Sequence, residues 1–137
     1  MSKDELRRRV VEARVAHLAT ADAEGRPHLV PICFALSGDR LYSAVDAKPK
    51  RTQQLKRLEN IAANPNVTVL VDHYHEDWTR LWWVRLDGRA GVVEEPSERE
   101  RGLDLLAEKY AQYRAERPAG PFLAVDIERW RGWSATP

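Results

Sequence analysis

A single cysteine, Cys33, occurs in the 137 residues, so the chain can form no internal disulfide, which agrees with a reducing compartment. Set within "VPICFAL", it reads as a small buried hydrophobe rather than a nucleophile. No apolar run approaches the roughly 18 residues of a membrane span. The first residues, "MSKDELRRRVVEARVAHLAT", lack a signal peptide's apolar segment, so a cytoplasmic location is expected. Neither sign of charge dominates: 22 Lys and Arg against 21 Asp and Glu leave +1. A general nucleic-acid binder would show a more basic face, so neither nucleic acid nor membrane is expected as a partner. There is no Ser-His-Asp arrangement, glycine-rich phosphate loop or CxxC pair, and nothing suggests covalent catalysis. Repeats, low-complexity tracts and composition breaks are also missing, so residues 1–137 read as one domain.

The cations that are present are unevenly placed. Lys48, Lys50, Arg51, Lys56 and Arg57 crowd into "KPKRTQQLKR", with Arg40 upstream. A charge run is by default a solvated helix face. This one immediately precedes a predicted helix, with Thr52 as its N-cap, and helix N-termini with converging donors favour phosphate.

Hydrophobic periodicity supplies the elements. Ser2 and Glu5 fit a capping box ahead of a first helix lined by Leu6, Val10 and Ala13. "RVAHLAT", "HLVPICFAL" and "LYSAV" read as an antiparallel meander, with Pro31 marking an edge or a bulge. Leu55, Leu58 and Ile61 define a helix from Thr52 to about Ala63, stopped by Asn64-Pro65. "NVTVLVDHY" is a strand, and "LWWVRLDGRAGVVEE" reads as a hairpin turning at Asp87-Gly88. Ser97 is expected to cap a third helix, with Glu100 reaching back and Leu103, Leu106, Ala107 and Tyr110 on its buried face. "FLAVDIERWRGW" is the last strand. About seven mostly antiparallel strands and three helices predict a mainly β domain, a small closed or nearly closed barrel with helices outside it.

"DHYHED" invites a metal reading, with His73 and His75 on one side of a strand. Two histidines at i, i+2 with loose carboxylates lack a third ligand at motif spacing, so no metal is expected. Adjacent Trp82 and Trp83 must face opposite sides of a strand. One ring is therefore left for another surface, and a dimer interface suits tryptophan.

In order, "GRPHLVPICFAL", "LYSAVDAKPKRTQQLKRLENIAANPNVTVLVD", "LWWVRLDGRAGVVEE" and "RWRGWSA" resemble the pyridoxamine 5′-phosphate oxidase-like split β-barrel flavoproteins over residues 4–134. Within them the chain most resembles the branch that uses the deazaflavin coenzyme F420. The resemblance implies a homodimer with cofactor sites at the interface. It implies Val30, Pro31 and Ile32 along the cofactor ring and Tyr42 and Ser43 at its ribityl–phosphate end. Phosphate contacts fall to Lys48, Lys50, Arg51, Lys56 and Arg57, with Lys50 and Arg57 favoured. His73, Tyr74, His75, Trp78, Trp82, Trp83 and Trp133 are the candidates for the substrate pocket, and no side chain is singled out as catalytic. The expected activity is hydride transfer between F420 and a small apolar or aromatic acceptor. The alternatives are an FMN-binding oxidoreductase of the same fold and a non-catalytic cofactor- or pigment-binding protein. The C-terminal arginine and histidine that hold pyridoxal phosphate in the oxidases have no counterpart, so that activity is not carried over.

Overall fold

The computed structural model describes residues 1–45 and 51–137, with only the backbone for 51–55. Lys48 and Lys50, and the Arg51 side chain, lie outside the described residues. Helix α1 (Lys3–Glu12) starts as expected: the Ser2 hydroxyl accepts the Glu5 N–H at 3.1 Å. The Glu5 carboxylate, however, pairs with Arg9 one turn on instead of closing the box. Strand β1 (Ala16–Ala21) alternates buried and half-buried residues, the mark of a strand with one face in the core. It pairs antiparallel with β2 (Pro27–Ile32), and Asp22 holds the turn by accepting the N–H groups of Glu24 and Arg26 and the Arg26 Nε.

The expected meander stops there. Run "HLVPICFAL" is two strands: β2, and then β3 (Ala35–Ser37), which pairs with β4 (Arg40–Ala44) and not with β2. In the seven-stranded antiparallel sheet the order is β2-β1-β5-β6-β7-β4-β3, so β2 and β3 are its two edges. Pro31 thus sits on an edge strand, where a missing N–H is tolerated. Three residue steps, Ile32 to Ala35, reach at most about 11 Å. A sheet whose opposite edges are joined so closely must curl until they nearly meet, and this produces the split barrel.

Phe34 fills that seam and is fully buried. Cys33, expected in the core, points the other way and is exposed, because the chain crosses from one edge to the other and only one of the two linking side chains can turn inward. The linking backbone is satisfied by side chains: Ser43 Oγ donates to the Cys33 carbonyl at 2.8 Å, and Tyr110 Oη accepts the Phe34 N–H at 3.1 Å.

Helix α2 (Arg51–Ala63) begins at Arg51, so Thr52 is inside it and not its cap. Asn64-Pro65 ends it as expected, and β5 (Asn66–His73) follows. A 3-10 turn at Trp78–Arg80 leads into β6 (Trp82–Val92). That strand overturns the expected hairpin, since it runs through Asp87-Gly88 without reversing and pairs along its length with β7 (Phe122–Ser134). A bulge between Asp87 and Gly88 shifts the register there, and a Cβ at position 88 would collide with the Asp126 carbonyl. Glycine is needed for close approach of two strands, not for a turn. Splitting one expected strand and fusing two others leaves the count at seven among the described residues.

Helix α3 (Pro96–Lys109) is capped by Glu95, whose carboxylate accepts the N–H groups of Ser97 and Glu98, with proline in the first turn. Ser97 is therefore not the cap. A short α4 (Ala111–Ala115) is added, making four α-helices among the described residues rather than three. The main core inside the barrel joins Leu18, Ile32, Phe34, Val69, Val84, Leu86 and Val125 with Leu6 and Val10 of α1 and Ile61 of α2. A second cluster lies outside the barrel, where α3 covers Tyr42, Ala44, Phe122 and Ala124. Gly102 lets α3 sit against the Phe122 ring, which a methyl group would strike.

Candidate cofactor and substrate site

The residues expected to touch a cofactor ring alternate along β2. Val30 and Ile32 pack into the barrel core, and Pro31 is exposed on the outer face. Tyr42 and Ser43 also part. The Tyr42 ring stacks on Phe122 at 5.6 Å beneath α3, and its hydroxyl donates to Glu98 at 2.7 Å. Burial and then the hydrogen bond to Glu98 push the Tyr42 pKa up, and the hydrogen bonds from Arg40 and then Tyr42 pull that of Glu98 down. Ser43 faces inward and is buried, its hydroxyl proton given to the seam.

Of the cationic cluster, Lys56 and Arg57 are described, and both are half-buried. Lys56 Nζ lies 3.8 Å from the Asp22 carboxylate, whose pKa is lowered chiefly by the Arg26 backbone N–H. One turn further along α2, Asn60 Nδ2 donates to Thr20 Oγ1 at 3.0 Å, both residues buried. These contacts set α2 against the C-terminal end of β1. By the β1–β5 register, that is the beginning of β5.

The substrate-pocket candidates gather at the other end of β5. His73 stacks on Trp82, with ring centroids 5.9 Å apart, and lies 6.2 Å from His75. Tyr74 and Trp78 are exposed and joined by a weak Trp78 Nε1 to Tyr74 Oη contact at 3.4 Å. Among the described residues no three His, Cys, Asp or Glu side chains converge on a metal-sized point. The adjacent tryptophans face opposite ways as expected: Trp82 packs on the core, while Trp83 stands outside, across from Trp133.

Eight residues of strand span about 25 Å. One chain therefore does not bring the phosphate candidates of α2 and the aromatic candidates of β5 and β6 into one pocket. The outer face of the sheet between them carries Leu29, Pro31, His17, Leu70, Trp83 and Trp133 in neighbouring strands. Leu29 is 66% exposed and Trp133 46%.

Sequence reasoning missed two arginines. Arg9 shares the buried stripe of α1 with Leu6, Val10 and Ala13, and its guanidinium lies over the Trp82 ring at 4.7 Å. Its spacing was the available signal, since residues 6, 9, 10 and 13 share one helical face. Arg80, on the 3-10 turn, left no such signal.

A curled antiparallel sheet with its edges joined, one helix plugging each end and a third outside defines a split barrel. Residues 2–134 match the family described as pyridoxamine 5′-phosphate oxidase, and the chain belongs to that family. Among solved structures it is similar to an FAD-binding protein from Mesorhizobium loti, with 25% identity, 96% and 94% of the two chains covered, and a TM-score of 0.73. A conserved hypothetical protein from Mycobacterium tuberculosis shares 24% identity over 98% of this chain and 86% of that one, at 0.76. The haem storage protein HutZ from Vibrio cholerae shares 17% over 96% and 93%, at 0.72. No curated protein sequence matches. Among the described residues no helix is long and apolar enough to cross a membrane.

Proposed function

We propose that the protein is a flavin-type oxidoreductase that uses the deazaflavin F420, works as a homodimer, and transfers hydride between that coenzyme and a small apolar or aromatic acceptor. Family membership across residues 2–134 is the observation that carries the redox reading, supported by the FAD-binding relative at 25% identity. The chain fits an anionic coenzyme at α2. No acidic residue occupies the first turn of that helix, whereas α1 carries Asp4 and Glu5 there and α3 carries Glu98. Lys50 and Arg57 would hold the phosphate, with Lys48, Arg51 and Lys56 beside them.

The bound deazaflavin would supply the hydride-carrying ring. The protein's part is to orient ring and acceptor and to exclude water, which needs no protein nucleophile. Separation of the two candidate groups along β5 favours assembly from two chains, α2 of one facing the aromatic end of the other. The outer sheet face with Leu29, Pro31, Trp83 and Trp133 is the surface we assign to that contact.

Titrating the purified protein with F420 and with FMN, read by fluorescence, tests the proposal. Tighter binding of F420 supports it. A yellow preparation carrying stoichiometric FMN assigns the flavin instead. Stoichiometric haem with a Soret band, and affinity for neither flavin nor F420, would favour the pigment-binding reading that the similarity to HutZ raises.

A further inference from the structure

At the end of the barrel remote from α2, a cleft of about 290 Å³ opens between α1, the 3-10 turn and the ends of β5, β6 and β7. Its walls include Arg9, Arg80, His73 and Trp82, and among the described residues no carboxylate lines it. Arg9 gives one nitrogen to Glu5 at 3.3 Å, but its Nε is buried with no hydrogen-bond partner. Arg80 makes no ion pair among the described residues. The nearest acid in sequence, Asp77, caps the 3-10 turn through the Thr79 N–H and hydroxyl and feels the Arg80 charge without forming an ion pair with it. The hydroxyl proton of Ser134 goes to the Thr136 carbonyl. The donors left facing the cleft are therefore two guanidiniums, the His73 ring and the Thr136 hydroxyl. A guanidinium is matched best by a planar carboxylate, which can take two of its N–H groups at once.

The apolar component is equally specific. Trp82 lies in a stack with His73 at a 14° interplanar angle and with Arg9 over its ring. Flat surfaces of this kind take another ring. The volume sits at the low end of ligand pockets, so the ligand is a single ring rather than a coenzyme. A neighbouring groove shares Arg9, His73 and Trp82, and there Arg8 and Arg14 stand beside Glu12 and Asp72, with Arg8 already paired to Glu12.

We infer that this cleft binds a small aromatic carboxylate, its acid group between Arg9 and Arg80 and its ring against the His73–Trp82 stack. Binding itself stands without the redox reading.

The test uses benzoate and its neutral isostere benzamide, with the full chain and no coenzyme added, read as the NMR shift of the Trp82 indole N–H, assigned with Trp82→Phe. Benzoate is expected to bind at least tenfold more tightly than benzamide. Arg80→Gln should remove at least tenfold of the benzoate affinity while leaving that for benzamide alone. Its folding should be unaffected, since Arg80 is exposed, and Arg80→Lys should recover only part of the loss, lacking the planar fork. Equal affinities for benzoate and benzamide, or unchanged benzoate binding in Arg80→Gln, would overturn the inference. Because no coenzyme is present, either result leaves F420 binding at α2 untouched, and failure of F420 to bind leaves this site standing.

Discussion

The Tyr110 hydroxyl closes the barrel seam at Phe34: it accepts the Phe34 N–H at 3.1 Å and lies 3.2 Å from the carbonyl of the same residue. It also reaches the Arg14 carbonyl at 3.0 Å, so its one proton serves two acceptors in turn. The residue from α3's C-terminus thus does for the β2–β3 link what a neighbouring strand does elsewhere in the sheet. Tyr110→Phe leaves a part-buried N–H unpaired and should lower stability by about 1–3 kcal/mol. Urea unfolding should show the shift in midpoint with an unchanged slope.

Next to it, Lys109 Nζ lies 3.8 Å from the Phe34 ring centroid. Burial, reinforced by Arg14, pulls its pKa down to about 8, with the nearby Cys33 acting weakly in the opposite sense. The folded state therefore holds the proton less tightly than the unfolded chain, whose lysine titrates near 10.4. Below about pH 8 the charged amine is present in both states and penalises the fold. Stability from this group rises between about pH 8 and 10.4, where the unfolded chain binds more protons. Lys109→Met should be more thermally stable than the parent at pH 7, and the gap in Tm should close toward pH 10. A gap independent of pH would show that the amine's charge is not the cause.

Gly88→Ala drives a methyl group into the Asp126 carbonyl at the bulge. Over-packing of this sort costs about 1–3 kcal/mol, and the backbone contact leaves no flexible side chain to yield. Gly91 meets nothing, so Gly91→Ala on the same strand is the control and should be nearly neutral. Denaturation of the two variants side by side checks the assignment of Asp87-Gly88 to a strand rather than a turn.

If Lys50 and Arg57 hold a coenzyme phosphate, replacing either by Ala should weaken F420 binding by about 1.5–3 kcal/mol. That is roughly ten- to hundredfold in dissociation constant. FMN should suffer alike, because the phosphate and not the ring is affected. Unchanged affinity for both in the double variant would return the cluster to a solvated helix face.

The homodimer has its own measurement. Light scattering across micromolar concentrations should give twice 15.7 kDa, and Trp133→Glu, on the exposed outer sheet face, should shift it toward the monomer. A parent protein that stays monomeric would leave the proposed two-chain site without its second half.

Local pattern was enough for much of the fold. The alternation of "AHLATA", the β-branched "NVTVLV" and the 55-58-61 spacing each encode an element through contacts within a few residues. Where a residue has two structural uses, local pattern could not choose between them. Asp-Gly suits a type I′ turn, and its glycine equally suits a bulge under a neighbouring strand, and only the β6–β7 pairing separates the two. "PICFAL" is continuous in hydrophobicity, yet its two halves belong to opposite edges of the sheet, and that decision put Cys33 outside and Phe34 inside. The cations at α2 are close in sequence, so their cluster was visible from the start. Arg9, His73, Arg80 and Ser134 are up to 125 positions apart and meet only because α1 caps the barrel where β5 and β7 end and β6 begins. Such a site depends on long-range strand register, which one-residue slips would reverse, so no window of sequence contains it.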